Sequence, residues 1–267
     1  MAGIKTLFCS LLLCLSSSCC FASEYLLGVF PHLPPRDLEK VFSPMAADLG
    51  KVINKRVMLR SSTTYEKFMD NLDKETFDIA FVQPFDYIRI ADKFGYIPLA
   101  TRKQKLSTVL VTKPDSNLNT VQDLKGKTIA LPPKVAAVSL LLNSYLHEHN
   151  LVPGKDIRLT YHRSHLSCMQ QILIGEADAC GTAAPALRFF QHKMNVTLKI
   201  IAETQKIPHT LFVIHPRVPE SERKKIRSRI LEWGNDESGK KMLSRGRLQP
   251  FMEISDKDYD IVRKLVK

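Results

Sequence analysis

One stretch of the sequence decides the fold: it reads FDIAFVQPFDY from Phe77 to Tyr87. Residues 77–82 form an apolar run with the length of a β-strand, and Pro84 follows where a proline can open a helix. An amphipathic segment then continues to Lys93. We therefore predict a strand over 77–82 and a helix over 84–93, joined by a Gln83-Pro84 turn.

The same alternation of strand-length apolar runs and longer amphipathic segments extends on both sides, as far as about residue 215. It predicts an α/β fold with parallel strands. After Pro216 the pattern is helical only. The expected strands are 25–30, 56–60, 77–82, 97–101, 108–112, 128–131, 157–162, 177–180, 198–202 and 211–215. The expected helices are 37–52, 65–72, 84–93, 136–149, 166–174 and 186–193.

The composition is that of a globular protein. With 267 residues, 44% of them hydrophobic and 25% charged, the chain has room for two domains and is too apolar to be disordered. It lacks a glycine-rich phosphate loop, a nucleophile elbow and a His-Glu-x-x-His pair. His162, His165 and Cys168 stand three apart, but His162 ends a predicted strand and the three would have to share one helix. We expect no enzyme, no cofactor and no metal site.

The N-terminus has the order of a secretory signal. Lys5 precedes an apolar run over 7–15, and small residues then lead to Ala22. Serines interrupt the run too early for a membrane span, which needs about 20 apolar residues. We predict a signal peptide over 1–22, with cleavage after Ala22. A lipid anchor on Cys19 is the less favoured alternative, because Leu15 stands four positions before Cys19 and not three.

Two cysteines, Cys168 and Cys180, lie outside the predicted signal peptide. In an oxidising compartment they could form one disulfide, or they could be two half-buried thiols, and the sequence leaves both readings open. The formal net charge is +12. Export argues against nucleic acid as a partner, whereas steering of an anionic solute and attraction to an anionic membrane surface both fit a positive field.

Two places along the chain suggest boundaries between domains. The first lies near 103–107, and the second lies near 204–209, where Pro208 interrupts a strand-like stretch. We therefore expect a discontinuous first lobe over 23–105 and 206–267, and a second lobe over 106–205. Ligands of such sheets bind outside the carboxyl ends of the strands, and a cleft between two lobes is a common binding place.

At this point the sequence resembles the periplasmic substrate-binding proteins of phosphate/phosphite/phosphonate-type ABC transporters. The resemblance spans roughly residues 25–230. It implies a two-lobed Venus-flytrap fold of type II, in which each lobe is a mixed sheet flanked by helices, and a periplasmic location. The segments that carry it are STTYE (62–66), FDIAFVQPFDY (77–87), VQDLKGKTIA (121–130), and SH (164–165) followed by IGEADA (174–179).

The resemblance also implies the ligand-binding residues. Family members use two tyrosines, a histidine and an acid, which correspond to Tyr65, Tyr87, His165 and Asp178. Phenols and a histidine offer hydrogen bonds to an anion, and Asp178 would hold an amine if the ligand carries one. Further candidates in the same segments are Thr63, Gln83 and Ser164.

One segment departs from the family pattern. Phosphonate receptors have a Ser-Thr-Ser run at the start of the helix after the strand that is 128–131 here, and this chain has PPKVAAVS (132–139). The three hydroxyls are lost, but the amides near Val135 and Ala136 remain available for an anion. Lys134 and Arg163 are cations that could replace part of the lost binding.

We expect a monomeric receptor that captures a small anion similar to phosphonate, phosphite or phosphate and delivers it to an ABC permease. The departure also leaves open a receptor for a solute without phosphorus. Two other functions remain as alternatives. One is a ligand-sensing module that signals to a membrane partner, and the other is an enzyme on the same fold, which export disfavours.

Overall fold

The computed structural model of the chain describes residues 24–266. The predicted signal peptide, its cleavage after Ala22 and the alternative lipid anchor on Cys19 therefore lie outside the described residues. None of the helices within the described range combines the length and the apolar character that a membrane span needs.

The strands form two separate mixed sheets. The first has the order β11-β4-β10-β3-β1-β2 and contains β1 (Tyr25–Val29), β2 (Val57–Ser61), β3 (Ile79–Val82), β4 (Ile97–Arg102), β10 (Leu211–Ile214) and β11 (Phe251–Met252). The second has the order β7-β6-β8-β5-β9 and contains β5 (Val109–Thr112), β6 (Thr128–Leu131), β7 (Arg158–Tyr161), β8 (Ala179–Thr182) and β9 (Lys199–Glu203).

Helices cover the two sheets and make each a lobe. Those of the first lobe are α1 (Pro35–Ile53), α2 (Tyr65–Asp73), α3 (Pro84–Phe94), α7 (Glu220–Glu232), α8 (Glu237–Arg245) and α9 (Asp260–Lys264). Those of the second are α4 (Ala137–Glu148), α5 (His165–Ile174) and α6 (Ala184–Met194). Short 3-10 turns lie at Gln122–Leu124 and Asp256–Tyr259. The expected α/β class, with a mixed sheet flanked by helices in each lobe, is confirmed.

The strand directions set where the lobes meet. β1 runs parallel to β2 and β3, and β6 runs parallel to β7 and β8. β10 is antiparallel to both β3 and β4, so β4 ends at the same edge as β1 and β3, and β10 begins there. In the second sheet β5 is antiparallel to β8 and β9. We call the edge at which the parallel strands of each sheet end its cleft edge.

One expectation about the C-terminal part was wrong. The pattern after Pro216 predicted helices only, but Phe251 and Met252 form β11, which pairs with β4. A strand of two residues is too short to show any periodicity. Phe251 is buried and packs against Phe81 and Phe212, so tertiary contacts determine this strand.

The chain passes between the sheets twice, from β4 to β5 and from β9 to β10. Leu106 and Ile207 form an antiparallel bridge between the two crossings. We call the two crossing segments, 103–108 and 204–210, the hinge. The exact lobe boundaries, at 105/106 and 205/206, stay a prediction.

The two lobes are built on cores of different size. The first lobe has one continuous core in which Phe42, Phe81, Phe212 and Trp233 are fully enclosed. The second lobe has a smaller cluster on each face of its sheet. The start of α4 leaves its own lobe and packs into the core of the first, and Ser144 of this helix donates a hydrogen bond to the Leu265 carbonyl at 3.2 Å.

A disulfide joins Cys168 of α5 to Cys180 of β8. Both residues are completely buried. Of the two readings that the sequence left open, the structure has the disulfide.

Candidate functional site

Two helices begin at the cleft edge, each directly after a residue whose hydroxyl caps the helix N-terminus. Thr64 accepts a hydrogen bond from the Lys67 amide at 3.2 Å, which starts α2 at Tyr65. Ser164 accepts one from the Ser167 amide at 3.1 Å, which starts α5 at His165. Because these helices follow β2 and β7, the capping places Tyr65 and His165 at the cleft edges of their lobes.

Gln83 connects the two lobes. It follows β3 in the first lobe, and its side-chain amide donates to the Val135 carbonyl at 3.1 Å in the second lobe. Its side-chain oxygen accepts from the Ala137 amide at 2.8 Å. The same side chain also donates to the Tyr65 hydroxyl at 3.1 Å. Gln83 is buried, and these three hydrogen bonds engage both amide protons and the oxygen of its side chain.

These contacts occupy the start of α4, where the sequence predicted free amides. The Ala136 amide donates to the Pro133 carbonyl at 2.8 Å, the Ala137 amide donates to Gln83, and Val135 offers its carbonyl. In this conformation Gln83 takes the place that an anion would take at the helix N-terminus. An anion that binds there has to displace the Gln83 oxygen. Lys134 lies beside this segment and is exposed.

Tyr65 donates a short hydrogen bond to the carboxylate of Asp86, in the first turn of α3. Asp86 also accepts from the Gln83 backbone amide at 3.3 Å. Burial raises the pKa of Asp86 to about 6, against the opposing effect of the Tyr65 hydrogen bond. Burial, followed by the Asp86 charge, raises the pKa of Tyr65 well above its usual value. Tyr65 is therefore a neutral phenol at neutral pH, held in place by two partners.

His165 lies on the other side of the cleft. Its Nδ1 is 2.9 Å from the Thr182 hydroxyl at the end of β8. Burial lowers the pKa of His165 to about 4, so the imidazole is neutral at neutral pH. The neighbouring candidate Ser164 uses its hydroxyl in the helix cap, and Arg163 is exposed.

Tyr87 does not lie with Tyr65, Gln83 and His165 at the cleft edges. It is completely buried, its hydroxyl donates to Asp256 at 2.6 Å, and its ring packs edge-on against Tyr259 at 4.7 Å. Its hydroxyl thus holds the C-terminal segment onto α3. Thr63 is placed at the cleft edge but is exposed.

Asp178 is placed at the opposite edge of the second sheet. It precedes β8, and its carboxylate accepts from the Thr128 amide at 2.8 Å, where β6 begins. Lys127 lies 3.8 Å from the same carboxylate. A ligand outside the carboxyl ends of the strands lies about one strand length away, roughly 10 Å. This placement argues against Asp178 as the group that holds a ligand amine.

Three residues that the sequence analysis did not select lie together at the cleft edge of the first lobe. They are His32, which follows β1, Arg102, which ends β4, and His209, which precedes β10. Arg102 Nη1 lies 3.4 Å from His209 Nε2. The rule that ligands bind beyond strand ends could have selected all three, but His32 and His209 lie in segments without a motif.

Geometry and fold together define a class: a two-lobed α/β binding protein whose lobes meet at the carboxyl ends of their strands. A family model described as "ABC transporter, phosphonate, periplasmic substrate-binding protein" matches residues 27–259. The chain belongs to this family. The expected resemblance and the Venus-flytrap class are thereby confirmed, and the family is one of transport receptors, not of enzymes.

Solved structures of the same fold include PhnD1 from Prochlorococcus marinus in complex with methylphosphonate, with 17% identity, a TM-score of 0.75, and coverage of 91% of this chain and 96% of that one. The binding component of an ABC phosphonate transporter from Pseudomonas aeruginosa has 16% identity, a TM-score of 0.73 and coverage of 91% and 85%. XAC2383 from Xanthomonas citri, determined with ATP, has 14% identity, a TM-score of 0.76 and coverage of 91% and 95%.

Proposed function

We propose that this protein is a periplasmic receptor that captures a small anion, similar to phosphonate, phosphite or phosphate, between its lobes and delivers it to an ABC permease. The observation that carries the proposal is the Gln83 bridge. Its hydrogen bonds to Val135 and Ala137 join the cleft edges of both lobes. A ligand that replaces this bridge would hold the lobes together in the same way.

The site has the donors that an oxyanion needs. Displacement of Gln83 frees the Ala137 amide at the N-terminus of α4 and also frees the Gln83 side-chain amide to donate. His165 offers a neutral imidazole that can donate from one ring nitrogen, whereas Tyr65 can donate to an anion only by giving up its hydrogen bond to Asp86. These groups replace the hydroxyls of the missing Ser-Thr-Ser run. We therefore expect this protein to rank phosphorus oxyanions by affinity in a different order from a receptor that has the run.

Two of the structural relatives were determined with phosphorus-containing ligands, methylphosphonate in one and ATP in the other. Both ligands present phosphorus oxyanions. This shared chemistry supports the same ligand class here. Because Gln83 already covers the N-terminus of α4, we expect the ligand to be small.

A thermal-shift screen tests the proposal on residues 23–267. The panel is phosphate, phosphite, methylphosphonate, aminoethylphosphonate, sulfate and a set of amino acids. A phosphorus oxyanion at about 100 times its Kd should raise the Tm by about 5 °C or more. The Asp178→Asn variant is the matched control and should respond like the wild type, whereas Gln83→Ala should respond differently.

The other outcomes separate the alternatives. A shift with amino acids or sulfate alone would contradict the phosphorus ligand and indicate a receptor for another solute. Binding of a phosphorus oxyanion without any effect of gene deletion on its uptake would contradict delivery to a permease and indicate a sensing module. No shift with any compound would contradict the receptor function.

A further inference from the structure

We propose that Arg102, together with His32 and His209, forms a binding site for the anionic group of the solute at the hinge end of the cleft. The inference rests on the proposed function in taking the ligand to be a small anion. It adds a site in the first lobe, separate from the N-terminus of α4. The ligand class is a compact oxyanion, or the second acidic group of a larger solute.

The first argument is that Arg102 has no acidic partner. Its Nε is buried and has no hydrogen-bond partner among the described residues, and within residues 24–266 no carboxylate lies within 4.0 Å of its guanidinium. Its contact at 3.4 Å is with His209, which is a base. Burial lowers the pKa of Arg102, as expected for a charge without compensation.

Several other arginines of the first lobe have an acidic partner, and the half-buried Arg227, which has none among the described residues, donates instead to the Leu99 and Ile254 carbonyls at 3.1 and 2.9 Å. Arg229 is paired with Asp48 at 2.6 Å, Arg217 with Asp78 at 2.8 Å, and Arg263 with Asp92 at 2.9 Å. Arg89 also has buried nitrogens without a partner, but it is paired with Asp73 at 2.5 Å. Since a buried charge is costly unless it is paired, the isolated Arg102 is better explained by a ligand than by the stability of the fold.

The second argument is the character of the two histidines. Burial lowers the pKa of His32 to about 4, against the opposing effect of its hydrogen bond to the Phe30 carbonyl, and burial lowers the pKa of His209 to about 3; the positive charge of Arg102 lowers both pKa values further. Both imidazoles are therefore neutral at neutral pH. His32 Nδ1 contacts the Phe30 carbonyl at 2.9 Å, and its ring stacks on Phe30 at 4.3 Å. A neutral imidazole does not repel Arg102, and its second ring nitrogen can still form a hydrogen bond.

The third argument is the position in the chain. Arg102 is the last residue of β4, directly before the first hinge segment, and His209 lies in the second. An anion that contacts both side chains would be held by both segments through which the lobes move relative to each other. Binding there would favour one arrangement of the hinge, because a ligand shifts the equilibrium toward the state that it binds more tightly.

The experiment compares wild type, Arg102→Met and Arg245→Met, all as residues 23–267. Arg245 is exposed at the end of α8 and is not one of the three proposed site residues, so its variant removes the same charge elsewhere in the first lobe. Titration calorimetry with methylphosphonate and with inorganic phosphate measures affinity in low-salt buffer. We expect Arg102→Met to weaken binding by at least about 30-fold, as for loss of charged hydrogen bonds, and Arg245→Met by less than about 3-fold.

The melting temperature without ligand is the second readout. A ligand site leaves the free protein with an uncompensated charge, so Arg102→Met should melt at the same or a higher temperature than the wild type. A loss of more than about 5 °C would show a structural role and overturn the proposal. Unchanged affinity of Arg102→Met for a probe that binds the wild type would also overturn it.

Failure of the proposed function gives a different result. If methylphosphonate and phosphate do not bind the wild type, the phosphorus ligand class fails. In that case stabilisation of the wild type by sulfate or chloride, lost only in Arg102→Met, supports the anion site, and its absence overturns the site as well.

Discussion

The two lobes repeat one plan, with the same residue at one pair of matching positions and different residues at another. In the first, Asp78 precedes β3 and accepts a hydrogen bond from the Leu26 amide of β1 at 2.8 Å. In the second, Asp178 precedes β8 and accepts one from the Thr128 amide of β6, also at 2.8 Å. The two aspartates connect corresponding strands at the edge away from the cleft. A conspicuous acid in a motif can thus belong to the framework and not to the binding site.

Between helix and sheet the two lobes differ. Phe68 of α2, four residues after its helix cap, packs on Phe77 at 5.6 Å. The matching residue of α5 is Cys168, and it is joined covalently to Cys180 of β8. The larger lobe holds its helix by aromatic burial, and the smaller lobe, whose core is divided, holds its helix by a disulfide. We infer that the disulfide gives the smaller lobe part of the stability that aromatic burial gives the larger one.

The largest expected effect comes from removing the aromatic contact that holds α2 on the first sheet. Phe68→Ala removes a completely buried ring and should lower the free energy of unfolding by about 3–5 kcal/mol. Urea denaturation followed by circular dichroism measures it. The control is Phe189→Ala on α6, a residue that is 46% exposed and whose replacement should cost less than about 1 kcal/mol. Equal losses of unfolding free energy in Phe68→Ala and Phe189→Ala would contradict the role of aromatic burial in holding α2.

The second effect comes from removing the disulfide that holds α5 on the second sheet. Replacing Cys168 and Cys180 together by alanine opens a loop with a sequence separation of 12 and should cost about 3 kcal/mol. The measurement is again urea denaturation, with and without a reductant. Because both sulfurs are buried, the native wild type should resist reduction that the unfolded chain does not. A double variant as stable as the wild type would show that the disulfide is dispensable.

The third effect sharpens the comparison of the two aspartates. The Asp78 side chain is 11% exposed and paired with Arg217, whereas that of Asp178 is 39% exposed with Lys127 at 3.8 Å. Asp78→Asn should therefore cost about 2 kcal/mol, and Asp178→Asn less than about 1 kcal/mol. Neither change should affect ligand affinity. A large loss of affinity in Asp178→Asn would return this residue to the binding site.

The smallest effect concerns pH and the cleft residue His165. Its pKa is about 4 in the folded protein and about 6.5 in the unfolded chain, so the unfolded state binds more protons between these values. This group therefore destabilises the fold as the pH falls from 6.5 toward 4. His165→Asn should remove up to about 2 kcal/mol of the stability loss between pH 7 and 5. The exposed His147→Asn is the control, and identical pH profiles for His165→Asn and wild type would contradict the burial of His165.

Local patterns predicted most of the fold. Apolar runs and the amphipathic segments between them indicated the strands and the helices. They did not indicate β11, because two residues have no period. They could not decide between a disulfide and free thiols, because this depends on Cys168 facing Cys180 across a helix and a strand.

The candidate site could be predicted only in part. Tyr65, Gln83 and His165 were selected by motif and lie at the cleft edges. The use of Gln83 as the partner of α4 could not be predicted, since it depends on how two lobes far apart in sequence meet. Arg102 was missed because nothing local distinguishes it from other basic residues. Its isolation from acids appears only when the whole fold surrounds it.

The most direct test of the cleft as a solute site is titration calorimetry of residues 23–267 with methylphosphonate and with phosphate. We expect saturable binding of one molecule per chain for at least one of the two, with the affinity changed in Gln83→Ala and unchanged in Asp178→Asn. Absence of saturable heat with both ligands would contradict a receptor for phosphorus oxyanions, and an unchanged affinity in Gln83→Ala would contradict a site at the place where the two lobes meet.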